Sequence, residues 1–110
     1  MSKLWLDDVR DPILFGYAGW EWVKTADEAI AFLKTGKVTR ASLDHDLAWE
    51  HYPWNDVTES QYKEKTGMAV VDWMEENNVW PVDGVQVHSM NPVGRERMLR
   101  VIRRHYDESA

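Results

Sequence analysis

The chain has no cysteine. That excludes a disulfide framework and any thiolate metal centre. It also lacks an apolar stretch long enough for a signal peptide or a bilayer span, so a cytoplasmic protein without membrane contact is expected. Positive charge is in deficit: 13 Lys and Arg stand against 19 Asp and Glu, for a net charge of −6. A field of that sign repels phosphate backbones and anionic lipid, so bulk nucleic acid is an excluded partner. A small phosphorylated ligand held in a local basic pocket remains compatible. Internal repeats, linkers and low-complexity segments are absent as well.

What is present suits one domain spanning residues 1–110, with 44% hydrophobic residues to fill a single core. Lys3 to Leu6 reads as a short buried strand stopped by Asp7-Asp8. Residues 9–19 read as loop, with Asp11-Pro12 and two glycines. Trp20 to Lys24 gives a second strand. Thr25 and Glu28 form a capping box for a helix whose apolar positions, Ala26, Ala29, Ile30 and Leu33, recur at helical spacing. Gly36 closes it and Val38 to Leu43 is a third strand.

Residues 48–65 are polar and aromatic without clean periodicity, a long loop with at most one helical turn. Loops of that length in small domains usually carry function. Thr66 or Gly67 opens a second helix with Val70, Val71 and Met74 inward, ended by Asn77-Asn78 and Pro81. Val85 to His88 is a fourth strand. Asn91 as N-cap and Pro92 at the first helical position start the last helix, with Met98, Val101, Ile102 and His105 on its buried face. The order β-β-α-β-α-β-α predicts an α/β fold: a small three-layer parallel sheet with helices on both faces.

Three of the strands end in proton-active or metal-binding residues. They are Asp7-Asp8, Asp44-His45-Asp46 and His88-Ser89-Met90-Asn91. In open parallel sheets ligands bind beyond the carboxyl ends of the strands, so these residues are expected at one rim. Asp7, Asp8 and Asp44 offer hard oxygen ligands suited to Mg²⁺ or Mn²⁺. Paired acids are also common in turns, so Asp7-Asp8 alone is evenly balanced between the two roles. His45 and His88 are candidate proton carriers, because imidazole titrates near neutrality. Asp46 is the third candidate catalytic residue, orienting His45 or sharing a ligand role with Asp44. His51 lies in the loop, either joining the site or solvated, and His105 is read as structural.

Arg10 and Arg95 are the candidate phosphate cations, and Arg97 is assigned to the surface. The turn through Ser89, Asn91 and Gly94 offers free N–H groups at a helix start, a phosphate-binding geometry, although an ordinary cap explains Asn91 and Pro92 equally well. Trp49, Tyr52 and Trp54 either close over a ligand and stack a base or simply cover the sheet edge.

The ordered set Leu4-Trp5-Leu6-Asp7-Asp8-Val9-Arg10, Gly19-Trp20, Ser42-Leu43-Asp44-His45-Asp46-Leu47, Thr66-Gly67 and His88-Ser89-Met90-Asn91-Pro92-Val93-Gly94 resembles the cyclic-phosphate processing receiver domains. The resemblance runs from residue 3 to about residue 104. It implies a receiver-like, reduced flavodoxin-type fold and a role in processing cyclic phosphates, with Asp7, Asp8, Asp44, His45, Asp46, His88 and Asn91 as site positions. Ala48 departs from the glycine expected after the acidic motif, and the aromatic loop that follows puts substrate choice in question.

The expected activity is therefore that of a metal-assisted phosphodiesterase acting on a cyclic nucleotide or a cyclic oligonucleotide end. A module that binds a cyclic nucleotide without cleaving it is the alternative. A phosphoacceptor receiver fits less well, because such domains place a Lys after a later strand and no Lys follows Lys65. A helical HD-type phosphohydrolase fits poorly, because His45-Asp46 follows a strand.

Overall fold

In the computed structural model, which describes residues 1–108, four parallel strands form one sheet in the order β2-β1-β3-β4. The strands are β1 (Ser2–Leu6), β2 (Glu21–Val23), β3 (Val38–Leu43) and β4 (Val85–Val87); the helices are α1 (Ala26–Leu33), α2 (Met68–Asn77) and α3 (Pro92–Glu108). All three strand pairings are parallel. The expected α/β, receiver-like order is the one observed.

The register sorts side chains by face. Leu4, Ala41 and Val85 lie in line, as do Leu6, Leu43 and Val87, and they face the core. Ala29 and Leu33 of α1, Val70, Val71 and Met74 of α2, and Met98 and Ile102 of α3 join the same apolar cluster. Burying a leucine of this kind stabilises the fold by about 1.5–3 kcal/mol. The crossovers β2-α1-β3 and β3-α2-β4 step in the same direction along the sheet, so right-handed connections put both helices on one face. α3 packs beside α2.

The β1–β2 connection steps the other way and covers the second face. The helix there is a single 3-10 turn, Pro12–Phe15, capped by Asp11. Trp5, alternate to Leu4 and Leu6, points to this face and is only 2% exposed. It stacks on Phe15, meets Tyr17 at a tilt and meets Trp20 edge-on. The second outer layer is thus mostly aromatic side chains on a short turn, not a full helix.

Two glycines are required by close approach. A Cβ at Gly67 would lie 2.0 Å from the Asp44 carbonyl oxygen, and one at Gly94 would lie 2.4 Å from the His45 ring. Both helix starts are therefore seated directly on the Asp44–His45 backbone and side chain. The Thr25 cap is as expected, with its hydroxyl accepting from the Glu28 N–H.

The loop at 48–65 is more ordered than its composition suggests. It holds three 3-10 turns, Trp49–His51, Pro53–Asn55 and Glu59–Gln61, where one helical turn at most was expected. His51 pins it. Its Nδ1 accepts from the Leu47 N–H at 2.8 Å and its Nε2 donates to the Glu64 carbonyl at 2.7 Å. His51 is buried and structural, and His105 stacks on Trp80.

Candidate functional site at the switch point of the sheet

The chain runs from β1 outward to β2, then returns past β1 to β3, so the strand order reverses between β1 and β3. That is where α/β sheets bind ligands. Leu6 and Leu43 are register partners, which brings Asp7 and Asp44 side by side one residue later. The Asp44 N–H donates to the Leu6 carbonyl and the His88 N–H to the Leu43 carbonyl, extending the ladder into the site. One oxygen from Asp7, one from Asp44 and one ring nitrogen of His88 all lie within 4.8 Å of one another.

Arg10 links the two acids. Its Nε lies 3.0 Å from Asp7 Oδ2 and its terminal nitrogen 3.3 Å from Asp44 Oδ2. The other Asp7 oxygen accepts the backbone N–H groups of Val9 and Arg10, both at 2.9 Å. His88 Nε2 lies 3.0 Å from Asp7 Oδ2. Burial alone would push the Asp7 carboxyl up. The hydrogen bonds from His88, Arg10 and Val9, with the Arg10 charge, outweigh it and hold Asp7 below the usual carboxylate range. Asp44 goes the other way: burial first and the Asp7 charge second push it up, against Arg10, His88 and a hydrogen bond from Ser89. Asp8 is also pushed up, chiefly by burial, and its Oδ1 is buried with no partner. Asp8 thus stands apart from the Asp7–Asp44–His88 group, although it neighbours it in sequence.

Asp46 and His45 form the second half of the site. His45 Nδ1 lies 2.7 Å from Asp46 Oδ1, and the Asn91 amide donates to the same oxygen at 3.1 Å. The other Asn91 atom, Oδ1, accepts the Gly94 N–H and caps α3. One asparagine therefore serves both the cap and the carboxylate. Ser89 accepts the Asn91 N–H and donates to Asp44.

A cleft of about 80 Å³ opens at this rim, lined by Arg10, Asp44, Asp46, Tyr52, Trp54, Met90 and Asn91. The rings of Tyr52 and Trp54 stack at 5.0 Å. Asp7 and His88 stand behind Arg10, and His45 lies beneath Gly94, 6% exposed, with its Nε2 sealed and unpartnered. Two of the N–H groups expected to be free at the α3 start are taken up within the turn, that of Asn91 by Ser89 Oγ and that of Gly94 by Asn91 Oδ1, and Gly94 is covered by His45. Arg95 is exposed and away from the lining, and Arg97 pairs with Glu59 on the surface. Trp49 is exposed outside the cleft, so the aromatic contribution comes from Tyr52 and Trp54.

Three contributors escaped the sequence reading. Met90 is an exposed apolar residue between two site residues, a signal that was available. Ser42 and Gln86 are polar residues inside apolar strand runs and register partners on the Trp5 face; Ser42 contacts the His88 ring and Gln86 contacts Ser42.

Among the described residues no helix is long and apolar enough to cross a membrane. No curated protein and no solved structure matches the chain. Residues 2–104 do match a family described as the cyclic-phosphate processing receiver domain, and with nearly the whole chain matched, the protein belongs to that family.

Proposed function

We propose that the cleft hydrolyses a cyclic phosphate, with a nucleotide as the substrate class. The observation that carries this reading is Arg10, a partly exposed guanidinium at the cleft wall, held against two buried carboxylates beside the stacked Tyr52–Trp54 pair. A planar fork of donors suits a phosphate, and the ring pair suits a base.

The donor set fits a hard divalent cation such as Mg²⁺ or Mn²⁺. Asp44 and Asp8 are both held up by burial, so one arginine leaves the acids short of positive charge, and the Asp8 Oδ1 has no partner. Asp7 and Asp44 would hold the ion, and Asp8, which stands apart from them, would add only its negative charge. When bound it would offset the negative charge that grows on the phosphoryl oxygens. The chain's own residues do the rest. Arg10 binds and orients the phosphate. Asp46, which lines the cleft, takes the proton of the attacking water as the new P–O bond forms. It returns that proton to the ester oxygen as the ring P–O bond breaks. His45 acts from behind, through Asp46, and His88 acts through Asp7.

The test is turnover of a panel of 2′,3′-cyclic nucleotides, 3′,5′-cyclic nucleotides and cyclic oligonucleotides, with and without Mg²⁺ or Mn²⁺. Ring opening that is lost in Asp46→Asn and Arg10→Met supports hydrolysis. Recovery of intact ligand from a protein that binds but never opens it would establish the binding module instead.

A further inference from the structure

His88 is the one ring in the acidic group whose two nitrogens both have partners. Nδ1 lies 2.7 Å from Ser42 Oγ and Nε2 lies 3.0 Å from Asp7 Oδ2. Its plane is set by Trp5, stacked at 3.9 Å and 5°. Which nitrogen carries the proton decides what the ring can do. A protonated Nε2 donates to Asp7, whereas a bare Nε2 could ligate a cation.

The neighbours on the sheet decide it. Arg40 donates to Gln86 Oε1 at 3.2 Å. That fixes the amide: turned over, it would set its NH2 group against a guanidinium that has only donors. Gln86 Nε2 therefore faces Ser42 Oγ at 3.0 Å and Tyr17 Oη at 3.2 Å and donates to both. Ser42 is fully buried, and its hydroxyl has Gln86 and His88 as its two partners. Having accepted from Gln86, it has one proton to place, and His88 Nδ1 is the acceptor in reach. If Nδ1 were protonated, the Ser42 proton would be buried without a partner, which costs about 1–3 kcal/mol.

We propose that Arg40, Gln86 and Ser42 form a relay that places the neutral His88 proton on Nε2, making His88 a hydrogen-bond donor that holds Asp7 and not a cation ligand. The three are positioning residues acting through His88. The tautomer rests on hydrogen-bond geometry alone. Its consequence for the cation rests on the function proposed above.

The experiment is long-range ¹H–¹⁵N correlation on the full chain labelled with ¹⁵N-histidine, at a pH where the His88 ring is neutral, without added cation and then with Mg²⁺. The expected spectrum has a protonated, pyrrole-type Nε2 and a bare, pyridine-type Nδ1, unchanged by Mg²⁺. In Gln86→Glu the Ser42 hydroxyl turns to the new carboxylate, so Nδ1 loses its hydrogen bond and its resonance shifts, while the proton facing Asp7 stays on Nε2. Circular dichroism and the denaturation midpoint report whether that variant folds; if it does not, the wild-type spectrum alone decides. A wild-type Nδ1–H signature, or a pyridine-type Nε2 that shifts on adding Mg²⁺, overturns the relay. Turnover with an Nδ1–H ring would sink the relay and leave the hydrolase standing. An Nε2–H ring without turnover or binding would do the reverse.

Discussion

Gly94 is seated against the face of His45, so closely that a Cβ there would come within 2.4 Å of Cγ and 2.6 Å of Cδ2 and Nδ1. The first turn of α3 and the His45–Asp46 pair are therefore one mechanical unit. The glycine is needed for this approach and not for its backbone angles, since its φ is not among the positive ones.

Gly94→Ala should consequently push the His45 ring off Asp46 or lift the start of α3. Overpacking of a tight contact costs about 1–3 kcal/mol. Urea denaturation should show a loss in that range, and any activity that depends on Asp46 should fall with it. A variant of unchanged stability would mean that the ring has room to move.

How far this was legible beforehand follows from the kind of signal each part carries. The four strands and three helices lay in local patterns: apolar runs cut by Asp7-Asp8, the Thr25–Glu28 box, Asn91-Pro92. The gathering of Asp7, Asp44 and His88 followed from strand-end logic, since parallel neighbours carry their next residues to the same rim. What sequence spacing does not encode is depth. His45 looks as available as Asp46 in the string, yet the helix start covers one and leaves the other on the cleft. Arg95 is near Asn91 in sequence but turns outward on α3, while Arg10, three residues from Asp7, folds back onto it. The 48–65 loop lacked periodicity because it is held by His51 and Glu50 through scattered hydrogen bonds, not by a repeated face.

Asp8→Asn should stabilise the protein at neutral pH. Asp8 is held above its ordinary value of 3.8, chiefly by burial, so the folded state carries a cost once this carboxyl ionises. That cost is fully present above the folded pKa and fades as pH falls toward 3.8. The gain from the amide should therefore shrink over the same interval. Asp7 has the opposite sign: its carboxyl is held down, so its contribution is complete above 3.8 and is lost at lower pH. Denaturation midpoints of wild type and Asp8→Asn from pH 7 down to pH 3 check both. Parallel curves across that range would count against the Asp8 assignment.

Mg²⁺ or Mn²⁺ should raise the melting temperature if Asp7 and Asp44 hold a cation. A ligand that binds only the folded state contributes about 2.7 kcal/mol at a hundred times its Kd. For a domain of this size that is a shift of many degrees, at about 4–8 °C per kcal/mol. A chelator should reverse it, and Asp44→Asn should abolish it. Ca²⁺ run in parallel separates site-specific binding from general screening of a chain with net charge −6.

Trp54→Ala should weaken substrate binding without weakening the fold. The Trp54 ring is 75% exposed, so little apolar burial is lost on truncation, and stability should stay within about 0.5 kcal/mol. Its contact is with Tyr52, and both line the cleft beside Arg10 and Asp44. Stacking of one base on such a ring is worth about 1–3 kcal/mol. If that binding is equal in ground and transition states, KM rises by about 5- to 150-fold and kcat is unchanged. A cyclic phosphate without a base should bind wild type and variant alike, because only Arg10 and a cation held by Asp7 and Asp44 would grip it. Equal losses for both substrates would show that Trp54 shapes the cleft instead of stacking on a base, and an unchanged KM for the nucleotide would remove the aromatic pair from the site altogether.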